Sequence, residues 1–234
     1  MATLFKCAAY FIAGTDTGVG KTRVTGGLLR AARELKASVA GMKPVAAGSI
    51  TKDGRQISED ALFIEQNAGQ IAPYELLNPY CLPEALSPHI AADRVGISID
   101  IARIVSCAQQ LAQERNLLLV EGAGGWYAPI SATESMADVA RALGIPVVLV
   151  VGLRIGCLNH ARLSAQAIER CGCTLQGWVG SQPEPQFAAR DENIATLTRL
   201  LGTAPMALLP YAPDWSGDAL ELRAAAAALL DSAD

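Results

Sequence analysis

Histidine is nearly absent from this sequence: His89 and His160 are the two among 234 residues. A chain so poor in the side chain that titrates near neutrality offers little for histidine-based acid–base chemistry, and both are read as structural. Six cysteines are scattered without a C-x-x-C pair. That spacing argues against a structural zinc site and predicts small buried hydrophobes in a reducing, cytoplasmic setting. Charged residues make up only 18%, the net charge is −4 and no basic run occurs, which argues against a surface for nucleic acid or an anionic membrane. The longest apolar stretch, IPVVLVVGL at 145–153, falls far short of the ~20 residues that span a bilayer. The first residues show neither a basic segment nor a small-residue cleavage pattern, so no export signal is expected.

What the chain has is apolar mass. Hydrophobic residues reach 51%, enough for one well-filled α/β core in a chain short for two. The runs CAAYFIAG (7–14), SVAGMKPV (38–45), NLLLVEGAGG (116–125), IPVVLVVGL and TLQGWVG (174–180) read as strands covered on both faces. Between them, GKTRVTGGLLRAARELK (20–36), SEDALFIEQNAG (58–69), residues 99–114 and NHARLSAQAIERCG (159–172) have helical spacing, with Ser58 as N-cap and Gly69 as stop. NPYCLPEALSPH (78–89) reads as a proline-rich loop and LRAAAAALL (222–230) as a closing helix. Alternating strands and helices predict one α/β domain over 1–234: a parallel sheet with helices on both faces and a ligand site beyond the carboxyl ends of its strands.

One connection carries a nucleotide signature. GTDTGVGKT (14–22) follows the first strand and opens the first helix, but its leading glycine lies one place too early for G-x-x-x-x-G-K-[ST]. Gly18 and Gly20 let backbone N–H groups surround phosphate at a helix start. Lys21 places a cation on the β- and γ-phosphates and Thr22 a hydroxyl on Mg²⁺. This is a nucleotide loop of the P-loop type. Glu121 ends a strand of four apolar residues, a costly place for an unpartnered acid. Asp60 reads equally as a second metal ligand or as an ordinary acid in a helix's first turn. Lys43 closes a buried strand, where it faces either the ligand crevice or solvent.

The irregular positions narrow the kind. Partition and septum-placement ATPases carry a signature lysine five residues before the main one; here that residue is Asp16. T-D-T before G-V-G-K-T instead resembles the dethiobiotin synthetase family. GMKPVAAG (41–48), SEDAL (58–62), NPY (78–80), SPH (87–89), VEGAGGWYAPI (120–130) and VVGLRIGCLNHARLSAQAI (150–168) follow in that family's order over roughly 5–212. The resemblance implies a P-loop enzyme that closes a ring on 7,8-diaminopelargonate with CO₂, using ATP and Mg²⁺. Lys43 and Lys21 would be catalytic, and Thr22, Asp60 and Glu121 would hold the metal. Thr17, Gly18, Val19, Gly20, Lys21, Thr22 and Arg23, with Asp60, Glu121, Gly122, Ala123 and Gly124, would bind the nucleotide phosphates. Ser181, Gln182, Pro210, Tyr211 and Ala212 would flank the base. Thr17, Lys43 and Ala47 would contact the diamine, and Gly156, Cys157, Leu158 and Asn159, from a neighbouring subunit of a homodimer, its carboxylate. On sequence alone that last segment reads as an ordinary helix start capped by Asn159.

The chain departs from the family at two site positions. Ala47 replaces the serine of K-P-V-x-S-G, with Ser49 two residues on, and Ser181-Gln182 replaces the asparagine–aspartate pair that holds the purine. A serine cannot make an amide's paired contacts, so other nucleoside triphosphates are admitted as substrates. Gly18, where relatives often carry glutamate, suits a phosphate turn. Two other readings are an amidoligase of the cobyrinate type, whose usual amidotransferase domain has no room here, and a ParA-like switch ATPase, against which Asp16 counts.

Overall fold

Strand β1 (Ala8–Gly14) is buried along its whole length and lies inside the main sheet. The computed structural model describes residues 4–69, 72–213 and 220–231. After β1 come α1 (Lys21–Glu34), β2 (Val39–Met42), β3 (Val45–Ala47), the hairpin strands β4 (Ile50–Lys52) and β5 (Arg55–Ile57), and α2 (Glu59–Ala68). Then follow α3 (Tyr74–Leu77), β6 (Tyr80–Leu82), α4 (Pro88–Arg94), α5 (Ile101–Leu111), β7 (Leu117–Glu121) and α6 (Met136–Leu143). The chain continues with β8 (Val147–Gly152), α7 (Cys157–Arg170), β9 (Leu175–Ser181), α8 (Arg190–Leu201), β10 (Ala207–Leu209) and α9 (Arg223–Asp231).

Six strands pair, all in parallel, in the order β10-β9-β8-β1-β7-β2. Parallel strands need crossovers, and here helices supply them on both faces. The two-residue side-chain period divides each strand between two cores. Phe11, Leu118, Val120, Leu149 and Trp178 pack with Ile104 of α5, Met136 of α6 and Ala161 of α7. Tyr10, Ile12, Leu119, Val148 and Val150 pack on the other face with Leu28 of α1, Ile64 of α2 and Leu229 of α9. The Tyr10 hydroxyl meets its obligation by donating to the Leu229 carbonyl at 2.9 Å.

The expected α/β sheet is present, with three local differences. SVAGMKPV is not one strand. It breaks at Lys43-Pro44, because proline offers no N–H to a ladder, and β3 leaves the main sheet to pair with β6. Residues 78–89, read as loop, contain β6 and the first two residues of α4. The exposed β4–β5 hairpin and the three-residue β10 are too short for a period to show. Strands β1, β2 and β7 all end on the side where α1 begins, so Gly14, Lys43 and Glu121 arrive together.

Candidate active site

The displaced glycine of GTDTGVGKT is explained by the path of Lys21. A Cβ on Gly14 would lie 2.9 Å from Lys21 Cδ and 3.0 Å from its Nζ. The lysine therefore folds back over residue 14, and its ammonium donates to the Asp16 carbonyl at 2.9 Å. Thr15, which occupies the usual glycine place, accepts from Gly152 N–H through Oγ1 at 3.3 Å, tying the loop to β8. Gly20 caps α1 at φ 88°, and a Cβ there would also meet Ser181 Oγ at 2.4 Å. Glycine is required at 20 on both counts. Asp16, standing at the signature-lysine position, pairs with Arg154 at 2.8 Å.

Lys43 is not a surface lysine; it is 4% exposed. Its ammonium lies 2.6 Å from Glu121 Oε1 and 2.8 Å from Asp60 Oδ2. Thr22 Oγ1 donates to the same Glu121 Oε1 at 2.8 Å. Glu121 is fully buried, and its other oxygen, Oε2, has no hydrogen-bond partner among the described residues. Two lysines, two carboxylates and a hydroxyl thus meet at the ends of β1, β2 and β7.

Their acidities follow from that crowding. Burial, aided by the charge on Lys43, pushes Lys21 down to about 8, against the pull of Glu121, Asp60 and Asp16. Burial works on Lys43 in the same direction, but the Glu121 and Asp60 carboxylates more than offset it and raise Lys43 to about 12. Burial alone would raise Asp60, yet the charge and hydrogen bond of Lys43, with the charge of Lys21, hold it below the usual carboxylate range.

A cleft of about 790 Å³ opens over this centre. Thr17, Gly18, Gly20, Lys21, Thr22, Lys43, Ala47, Asp60, Ala123 and Gly124 all line it. Glu121 lies beneath, reaching the cleft through Lys43 and Thr22. Val19 is buried, and a Cβ on Gly152 would strike it. Arg23 and Pro210 are joined by a 2.5 Å hydrogen bond from Nη1 to the carbonyl, which brings the end of β10 beside the start of α1. Ser181 is buried behind Gly20; Gln182 donates to the Glu184 carbonyl and accepts from Arg190. Gly122, Gln182, Tyr211 and Ala212 are not among the residues that line the cleft. Gly156, Cys157, Leu158 and Asn159 begin α7, with Gly156 at φ 93°, and do not line the cleft either.

A family model described as an AAA domain matches residues 8–219. The chain is 42% identical over 206 residues to the ATP-dependent dethiobiotin synthetase BioD of Xanthomonas oryzae pv. oryzae (strain PXO99A), covering 88% of this chain and 92% of that one. It is 42% identical over 203 residues to the enzyme of the same name from Aromatoleum aromaticum (strain DSM 19018 / LMG 30748 / EbN1), covering 87% and 90%. The chain belongs to the dethiobiotin synthetase family. Solved structures with this fold include the MinC:MinD cell division protein complex of Aquifex aeolicus (TM-score 0.58, 15% identity, 97% of this chain and 94% of that chain). A ParA family ATPase from Chlorobium tepidum TLS is also similar (TM-score 0.55, 12% identity, 97% of each). At such identities these show the fold alone, and the close dethiobiotin synthetase relatives favour neither the amidoligase nor the switch-ATPase reading.

Sequence reasoning missed the supports of this dethiobiotin synthetase site. Arg154 carried no assignment, yet it anchors Asp16. Ala85, Leu86, Ser87 and Pro88 form a wall of the cleft, and their one signal was the SPH motif.

Proposed function

We propose that this chain catalyses the ATP- and Mg²⁺-dependent closure of 7,8-diaminopelargonate (7,8-diaminononanoate) with CO₂ to dethiobiotin, giving ADP and phosphate. One amine captures CO₂ as a carbamate, whose oxygen attacks the γ-phosphorus of ATP as ADP leaves. The second amine then attacks the carbonyl of the mixed carbamic–phosphoric anhydride, closing the ureido ring and expelling phosphate. Each species on this path is anionic at the reacting oxygens, so fixed cations and N–H groups are the main catalysts. The observation that carries the reading is that Lys21 and Lys43 line one cleft together with Val45, Ala46, Leu86 and Pro88, which supply the apolar surface that an aliphatic diamine requires.

Thr22, Asp60 and Glu121 fit a magnesium ion: all three offer hard oxygens, and Glu121 Oε2 is buried without a hydrogen bond among the described residues. When bound, the ion supplies counter-charge to the phosphate oxygens. Lys21 and the loop N–H groups hold the phosphates, and Lys43 faces the oxygens between which the phosphoryl group passes. Ser181, Gln182 and Pro210–Ala212 form the base side.

Gly156–Asn159 from a second copy would complete the diamine site in a homodimer. Three exposed apolar side chains on this part of the surface support that assembly: Ile155 (84%), Tyr127 (58%) and Leu163 (57%). The scattered free cysteines fit a cytoplasmic protein, and no helix among the described residues is long and apolar enough to cross a membrane. The test is a product assay with the diamine, bicarbonate and each of several nucleoside triphosphates. Dethiobiotin is the expected product; its absence with every nucleotide overturns the reading.

A further inference from the structure

Lys43 is placed by a segment that makes no contact with the cleft. The chain leaves the main sheet at this residue, so no strand ladder holds its backbone. Instead Lys43 N–H donates to the Leu77 carbonyl at 2.9 Å, and its own carbonyl accepts from Asn78 Nδ2 at 2.6 Å. Asn78 is 3% exposed, and its Oδ1 accepts from the Tyr74 hydroxyl at 3.1 Å. That hydroxyl in turn accepts from Ser58 N–H at 2.7 Å. Ser58 is the N-cap of α2, its Oγ accepting from Ala61 N–H, and two residues on from it Asp60 reaches Lys43 Nζ. The path is a closed ring: Lys43 ammonium, Asp60, the start of α2, Tyr74, Asn78 and the Lys43 carbonyl.

We propose that Tyr74 and Asn78 are positioning residues for Lys43, fixing the start of α2 and the Lys43 backbone in one frame so that the ammonium stays registered against Asp60. The inference rests on the reaction proposed above for its kinetic arm only. A buried asparagine and a half-buried tyrosine that merely satisfy a loop would stabilise the fold without favouring any atom of the cleft. Three features distinguish this pair. Asn78 bonds to the lysine that bears the reactive charge, Tyr74 to the cap of the helix that bears its partner, and the two to each other. A ring of hydrogen bonds constrains both ends of an ion pair at once, which a single bond cannot do.

Tyr74→Phe tests this, because it removes one hydroxyl and nothing that lines the cleft. In the free protein, amide hydrogen exchange across residues 41–47 should quicken by about fivefold or more while β1 is unchanged. In turnover, kcat should fall by about tenfold or more with KM for ATP within about threefold, the pattern of a lost transition-state contact rather than lost binding. On an Asp60→Asn background the same substitution should cost less than about half that factor in logarithmic terms, since the ring is already cut. Equal losses on both backgrounds, a parallel rise in KM, or unchanged exchange each overturn the proposal. Asn78→Asp, which keeps the acceptor for Tyr74 and deletes the donor to Lys43, should reproduce the pattern and stands in if Tyr74→Phe fails to fold. A wild-type chain that makes no dethiobiotin would count against the proposed reaction, and the exchange measurement would then decide this inference alone.

Discussion

Lys43 has two duties, and they pull a substitution experiment in two directions. In the proposed reaction it offers charge to the reacting oxygens, and in the structure it is the counter-ion of a fully buried Glu121. Lys43→Ala should cost ~10²–10³-fold in kcat, as loss of one preorganised donor does, with ATP binding within a few-fold. It should also destabilise the fold by roughly 3–5 kcal/mol, because it strands a buried carboxylate. The double variant Lys43→Met/Glu121→Gln separates the two: thermal unfolding should recover toward wild type while turnover stays lost. Lys43→Arg should rescue little, since a planar fork cannot put a compact charge at that point. Glu121→Gln alone should raise the magnesium concentration needed for half-maximal turnover, and an unchanged magnesium titration would remove Glu121 from the metal set. Lys21 provides the pH prediction. Its ammonium, lowered from 10.5 to about 8, discharges in the free enzyme as pH rises, so kcat/KM for ATP should fall above about pH 8. The linkage to stability has the opposite sign. The unfolded chain binds that proton more tightly, so the penalty of a buried charged Lys21 is fully present below pH 8 and is relieved between about 8 and 10.5.

Among the elements, α2 shows how local sequence chemistry reaches the site. Ser58 caps it and Gly69 ends it at φ 58°, both as the sequence spacing requires. Ser58→Ala should cost about 1 kcal/mol. In a chain of this size that lowers the melting temperature by roughly 2–4 °C. A melting scan checks it, and no change would mean that the Tyr74 contact alone sets the helix start. The long strands were legible because both of their faces are apolar, and the helices because their periods are. The break at Lys43-Pro44 was legible in principle from the missing N–H. Its consequence, a strand that changes sheets, was not, since a three-residue partner such as β6 has no period to read. The placing of Asn78 and Tyr74 stayed hidden for another reason: it lies in bonds to backbone groups across 35 and 16 positions. Lys21 and Thr22 were legible in the nucleotide loop and Glu121 at the end of an apolar strand, whereas Lys43 and Asp60 each read two ways until the family resemblance singled them out; the structure brings all five around one cleft.

At the scale of the whole molecule, the proposed base side offers little among the described residues to read a nucleobase. Ser181 Oγ is turned onto Gly20, and the Gln182 amide is occupied by Glu184 and Arg190. Discrimination between ATP and CTP or GTP should therefore be weak; kcat/KM ratios of several orders of magnitude would show another reader of the base. The proposed shared site makes a second prediction at this scale. Lys43→Ala and a variant disabled at Asn159 should each be inactive, and mixing them should restore activity through dimers that contain one intact site. No recovery after subunit exchange would place each diamine site within a single chain. The order of the sheet bears on a different moment in the protein's life. Ala8 pairs with Leu117 and Phe11 with Val147, so the central strand emerges from the ribosome long before either neighbour exists. At ~5–20 residues per second, the nascent β1 waits roughly 5–20 s for β7 and longer for β8. Through that interval a strand that is wholly buried in the finished sheet lacks both of its neighbours, which leaves the half-made chain prone to association.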